Sequence, residues 1–163
     1  MKLIIHDLGE AFQARLREAG AESIDADGKY APCQGCFGCW TKHPAECCLK
    51  DSLHTVCRSM GHADEVVIIT RNCYGAYSPA VKNVLDRSIG LSTPFSTYRG
   101  GQMHHTLRYG KKAMLTVYVY GDMTDKEQET FRCMAERNAI NYGFRAHRIY
   151  FTKTPEEWEV EKL

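Results

Sequence analysis

Residues 65–87 read EVVIITRNCYGAYSPAVKNVLDR, and this stretch sets the fold class. Glu65 to Thr70 is apolar without alternation, the pattern of a strand buried on both faces in the middle of a parallel sheet. Ser78 and Pro79 suit a helix N-cap and first helical position, and Val81, Val84, Leu85 and Ile89 recur at helical spacing. A helix is therefore expected over 78–89. Between the two, residues 70–78 form a strand-to-helix turn in which Gly75 permits close backbone approach and Tyr74 and Tyr77 offer flat surfaces. A planar ring system could rest there on backbone N–H groups. The plainer reading is that any such turn needs a glycine and a cap.

Working outward, Lys2 to Ile5 is a second short apolar run, followed by a helical pattern over Ala11–Ala19 that Gly20 closes. Ala21 to Ala26 reads as a polar edge strand. Ser52 to Met60 reads as a helix capped by Asp51 or Ser52, with Leu53, Val56, Cys57 and Met60 on one face. Ala113 to Tyr120 is a further strand, and a long helix opens near Thr124 and stops at Gly143. Phe144 to Phe151 is the last strand, and a polar tail runs from Thr152 to Leu163. The segment from Gly90 to Lys112, with Gly100-Gly101 and His104-His105, shows no clear period and is expected to be a long loop, a lid or an oligomer contact. Strands alternating with helices predict one α/β domain over 1–163, with a five-stranded parallel sheet in the order 2-1-3-4-5. Ligands of such sheets bind at the carboxyl ends of the strands. That puts Tyr120 and Gly121, at the end of the fourth strand, opposite the Tyr74–Ser78 turn.

The chain has 163 residues and a net charge of +1, with no basic stripe, so neither nucleic acid nor an anionic membrane surface is implied. No apolar run approaches the roughly 20 residues of a bilayer span. Without a signal-peptide pattern at the N-terminus, the eight cysteines point to a reducing compartment, with the cytoplasm as default. Five of them crowd into PCQGCFGCWTKHPAECCLKD, residues 32–51. Cys33, Cys36, Cys39 and Cys47 stand in a Cys-x2-Cys-x2-Cys-x7-Cys array on a loop loosened by Gly35 and Gly38. Four thiolates there suit a four-iron four-sulfur cluster or tetrahedral zinc. Small thiols that merely pack the loop, or that do reversible redox chemistry, fit the same residues. Trp40 reads as a packing anchor, and Cys48, Cys57, Cys73 and Cys133 as ordinary buried thiols. Lys82, Asp86 and Arg87 share a helical face and read as a structural ion-pair set.

Pro32, Cys33, Gly35, Cys36, Phe37, Cys39 and Trp40, then Lys50-Asp51, then Tyr74, Gly75, Ser78, Lys82, Asp86 and Arg87 together resemble the flavodoxin-like flavoproteins. That group includes the NAD(P)H-dependent FMN reductases and the iron–sulfur flavoproteins. The likeness has specific motifs over roughly residues 30–120 and strand order elsewhere. It implies FMN at the sheet's carboxyl edge, with Tyr74, Gly75, Ala76, Tyr77 and Ser78 against the isoalloxazine and Tyr120 and Gly121 nearby. It also implies an NAD(P)H or protein electron donor, a quinone or other small acceptor, and a homo-oligomer. One departure is plain. These families carry a Gly/Ser-rich phosphate loop after the first strand, whereas this chain has His6-Asp7-Leu8-Gly9-Glu10, two carboxylates where a dianion would sit. The alternative reading is a flavodoxin-like module without flavin that acts as a cysteine-rich metal-binding or partner-binding protein.

Overall fold

A computed structural model describes residues 1–155. Five strands form one parallel sheet: β1 (Lys2–His6), β2 (Glu22–Asp25), β3 (Glu65–Arg71), β6 (Lys112–Tyr120) and β7 (Phe144–Thr152). Their spatial order is β2-β1-β3-β6-β7, every neighbouring pair parallel. This is the flavodoxin-like order expected from the alternating pattern. Lys2 pairs with Glu65 in β3, which in turn pairs with Met114 in β6, so the three apolar runs start level.

Helices α2 (Val56–His62), α3 (Pro79–Arg87) and α4 (Asp125–Tyr142) follow β2, β3 and β6, and α1 (Glu10–Glu18) follows β1. The strands feed two cores. Leu3, Ile5, Val66, Ile68, Leu115, Val117 and Val119 join Phe131 and Ala135 of α4 and Val81 and Val84 of α3 in the larger core. Ile4, Val67 and Ile69 point the other way and meet Leu16 of α1. Alternate residues of one strand thus face opposite cores, which is why the runs show no polar alternation.

The helix signals act as expected at α3 and α4. The Ser78 hydroxyl accepts from the Val81 N–H at 3.4 Å, with Pro79 behind it. Thr124 and Glu127 form a reciprocal capping box, and Gly143 ends α4 in the left-handed region at φ 79°. The final strand carries on to Thr152, and the rest of the expected polar tail lies outside the described residues from 156 on.

Two expectations change. Residues 90–112 are not a structureless loop: after a short 3-10 turn at Ile89–Leu91, β4 (Ser92–Arg99) and β5 (Gln102–Leu107) form an antiparallel hairpin. Gly100 and Gly101, at φ 57° and 78°, make the two-residue turn that matches strand twist. The hairpin carries mostly polar residues and an irregular register between Ser92 and Ser96, so no clean period marks it. Helix α2 also starts later than expected. Residues 52–55 are turns, and the Asp51 carboxylate, instead of capping α2, accepts from the Leu53 N–H and from Arg87.

Candidate functional site

The carboxyl ends of β1, β3 and β6 converge on the carboxylate of Asp7. Its Oδ1 accepts from the Tyr120 hydroxyl at 3.0 Å, and its Oδ2 accepts from the Arg71 N–H at 3.0 Å and the Thr70 hydroxyl at 3.5 Å. Thr70 Oγ1 also accepts from the Ser78 N–H at 2.9 Å, which ties the network to the start of α3. His6, fully buried just before Asp7, accepts the Leu8 N–H on Nδ1 and meets Gln13 Oε1 through Nε2 at 2.7 Å.

Next along β3, Asn72 joins two loops. Its N–H donates to the Tyr120 carbonyl, its side-chain amide donates to the Asp122 carbonyl at 3.0 Å, and its Oδ1 accepts from the Gly75 N–H at 3.0 Å. Cys73 and Ala76 then exchange two backbone hydrogen bonds of 3.0 Å around Tyr74 and Gly75. Both central residues have positive φ, 53° and 78°, as a type I′ turn demands. Glycine is required at 75 twice over, because a Cβ there would sit 3.0 Å from the Glu127 carbonyl oxygen of α4. Tyr74 has no such licence. It is a bulky residue held in the left-handed region, with its ring 89 % exposed at the mouth of the sheet edge.

The expected ring-site residues therefore separate. Tyr74, Gly75 and Ala76 form the turn, and Tyr120 and Gly121 lie beside it through Asn72. Tyr77 faces inward instead, 5.0 Å from the Phe131 ring in an edge-to-face contact, and burial pushes its hydroxyl up to about 12. Ser78 is buried as the cap of α3. Asn72 is not among the residues the sequence singles out, and Asp7, expected only as a charge opposed to a phosphate, is the group on which three strand ends meet.

The turn after β1 does not suit a phosphate. Asp7 puts a carboxylate at its start, held by the Arg71 N–H and the Tyr120 hydroxyl, and Glu10 in the first turn of α1 is ion-paired with Arg17. Tyr74 in its turn is open to solvent, whereas the carboxylates of Asp7 and Glu10 oppose a phosphate dianion at the turn after β1. An open cavity of about 430 Å³ lies further along the same edge, lined by Gly121, Asp122, Met123, Gln128 and Lys153 among others.

The cysteine loop folds against α3 and the hairpin. Trp40 anchors it: its indole N–H donates to the Ile89 carbonyl at 3.0 Å, and its ring lies 4.7 Å from both Phe37 and His105. Below it, Cys33, Cys36, Cys39, Cys47 and Cys48 line an enclosed cavity of about 80 Å³ together with Arg87. No three metal-ligating side chains among the described residues converge to hold an ion, so the expected set of Cys33, Cys36, Cys39 and Cys47 is not assembled as ligands. Cys39 turns into the core, where burial raises its thiol, while Cys33 and Cys36 are exposed. The close thiol pair is Cys36 and Cys48, Sγ to Sγ 3.4 Å, and Cys48 is exposed rather than buried. Cys133 is exposed too, whereas Cys57 is fully buried and pushed up to about 12.

No protein-family profile matches the sequence, and no curated protein matches it. Solved structures do. An FMN-dependent NADH-azoreductase from Bacillus anthracis, in complex with FMN, superposes with a TM-score of 0.59 over 99 % of this chain and 90 % of its own, at 12 % identity. A protein from Klebsiella pneumoniae assigned as a quinone reductase gives 0.60, covering 99 % of this chain and 78 % of its own at 14 % identity. An NAD(P)H:quinone oxidoreductase from Methanothermobacter marburgensis gives 0.57 at 13 % identity, with 95 % and 88 % covered. At these identities the likeness is one of architecture: the chain has the flavodoxin-like fold that these reductases share.

Proposed function

We propose that the chain is a flavin-dependent oxidoreductase that binds FMN, takes electrons from NAD(P)H and passes them to a quinone or another small acceptor. The observation that carries this reading is the strained, exposed Tyr74–Gly75 turn at the carboxyl edge of a flavodoxin-like sheet. It supports a ring seated on the Asn72–Ala76 backbone with Gly121 and Asp122 alongside. The flavin, when bound, supplies the hydride and electron chemistry. The chain's own residues orient it. Asn72 locks the β3 and β6 loops together, Asp7 fixes the Tyr120 hydroxyl, and the α4 backbone under Gly75 holds the turn at one height. FMN on this site would carry its phosphate away from Asp7 and Glu10. A homo-oligomer belongs to the same proposal, with the exposed Phe95, Tyr98 and Met103 of the hairpin as its contact.

The test is a visible spectrum of the purified protein, followed by titration with FMN. Flavin bands, or quenching that saturates at one flavin per chain, are expected. No bands and no binding would overturn the reading. A flavin-free metal-binding role has less support, because the thiols around the small cavity do not converge as ligands among the described residues.

A further inference from the structure

Eight thiols are present, and their surroundings sort them. Cys39 and Cys57 are buried, and burial raises both. Cys133 stands exposed on α4. Cys36 and Cys48 differ from these: they are exposed, twelve residues apart, and their sulfurs meet at 3.4 Å. A covalent S–S bond is about 2.05 Å, so small side-chain rotations on an exposed loop would close the gap. Cys36 sits between Gly35 and Phe37, both at positive φ, 63° and 53°, and this bend swings its sulfur across to Cys48. Trp40 fixes the far side of the bend through Ile89. From Cys47 onward the return strand is held by its own bonds, the Cys47 N–H to the His54 carbonyl and the His54 ring to the Cys47 carbonyl at 2.7 Å. Two anchored arms thus present the two sulfurs to each other over a cavity lined by three more thiols.

From this geometry we infer that Cys36 and Cys48 are a thiol–disulfide exchange site, with Cys36 the attacking group and Cys48 the resolving one. Its substrates are disulfides, of which low-molecular-weight ones reach the exposed loop freely.

The electronic asymmetry agrees. The Gly38 N–H and the Cys48 thiol both stabilise a Cys36 thiolate and lower it, whereas the neighbouring Cys36 raises Cys48. The buried Arg87 guanidinium adds positive charge to the cavity floor, partly offset by Asp51. In the first step the Cys36 thiolate attacks one sulfur of a disulfide RSSR. The substrate S–S bond breaks, RS⁻ leaves, and a Cys36–S–S–R bond forms. Cys48 then loses its proton and attacks Cys36 Sγ, expelling the second RS⁻ and forming the Cys36–Cys48 bond. The two thiol protons go to the two leaving thiolates. Two electrons pass from the protein dithiol to the substrate. The site needs no flavin, so the failure of the flavin reading would leave it standing.

The test uses the full chain, reduced under argon and free of flavin, exposed to glutathione disulfide as probe. Free thiols are then blocked by alkylation, and the peptides are mapped by mass spectrometry. A Cys36–Cys48 cross-link is expected to predominate. Cys48→Ser is expected to accumulate glutathione on Cys36, and Cys36→Ser to lose both cross-link and adduct, while Cys133→Ser behaves as the parent. Glutathione appearing on Cys33 or Cys133 as fast as on Cys36 would overturn the inference. So would a predominant link between other cysteines, or anaerobic protein that holds iron and sulfide with Cys36 shielded from the probe.

Discussion

Arg87, the last residue of α3, closes on Asp51 with two hydrogen bonds, Nη2 to Oδ1 at 2.7 Å and Nη1 to Oδ2 at 2.9 Å. The same guanidinium donates to the Ala31 carbonyl at 2.7 Å, so one cation holds both ends of the cysteine loop against the sheet's helix layer. Its side chain is fully buried. The expectation of a structural ion-pair role thus holds for Lys82 and Asp86, 2.5 Å apart, and for Arg87, whose partner Asp51 lies outside α3. Removing Asp51 would leave a buried charge without its counter-ion. Asp51→Ala should therefore cost about 3 kcal/mol, read as a lower denaturant midpoint, with Cys39 becoming open to alkylation. Arg87→Lys should recover little, because an ammonium cannot make the two-pronged contact.

The same pair predicts an acid limb in stability. Hydrogen bonds from Arg87, ahead of those from the Ala31 and Leu53 N–H groups, lower the Asp51 carboxyl from 3.8 to about 2. The folded state therefore prefers the ionised form more than the unfolded chain does. This contribution is fully present above the unfolded value near 4 and is lost as pH falls towards about 2. Denaturant midpoints of the parent should drop across that window. Asp64, also lowered, by the N-terminal amine, contributes to the same limb, so Asp51→Asn serves as the comparison. The difference between parent and variant should shrink through the window; a constant difference would reject the pair as its source.

How far these features could be read from sequence depends on what determines them. The runs at Lys2–Ile5 and Glu65–Thr70 are legible because burial on both faces leaves few other compositions. The caps at Ser78 and Thr124 are legible because they act within three residues. The hairpin strands are not, since residues such as Thr93, Thr97 and Thr106 carry no apolar period and the register is broken. The cysteine spacing is visible, yet which sulfurs meet is decided by Arg87 and Trp40, one reaching in from α3 and the other anchored on Ile89. Long-range partners of that kind leave no local pattern.

Tyr74 links stability and function in opposite directions. Holding a bulky residue at φ 53° costs on the order of 1 kcal/mol, which asparagine tolerates better. Tyr74→Asn should therefore raise stability by up to about 1 kcal/mol. Losing the exposed ring removes a stacking surface worth about 1 kcal/mol, so flavin affinity should fall roughly fivefold. A variant that is both more stable and an equal flavin binder would show that the ring of Tyr74 has no part in the site.

Gly75→Ala should do the reverse of relieving strain. Its φ of 78° disfavours any Cβ, and the Glu127 carbonyl oxygen at 3.0 Å leaves no room to add one. Both the turn and the start of α4 would have to shift. A loss of about 1–3 kcal/mol is expected, on the scale of a strained backbone position. Thermal unfolding with and without added FMN should show the stabilising effect of the flavin lost along with the turn.

The turn after β1 predicts an unusual indifference to phosphate. The Asp7 carboxylate is fixed by the Arg71 N–H and the Tyr120 hydroxyl, each at 3.0 Å, and swinging away would break both bonds. Glu10 adds a second negative charge at the start of α1. Two unit charges 4 Å apart interact by about 4 kcal/mol at an effective dielectric near 20, more than the helix N-terminus returns. A phosphate on this protein therefore gains nothing from its first turn. FMN and riboflavin should bind within about tenfold of each other in fluorescence titrations at neutral pH. Asp7→Asn should shift the two affinities together. FMN binding tighter by several orders of magnitude, or an Asp7→Asn gain confined to FMN, would place the phosphate beside Asp7 after all.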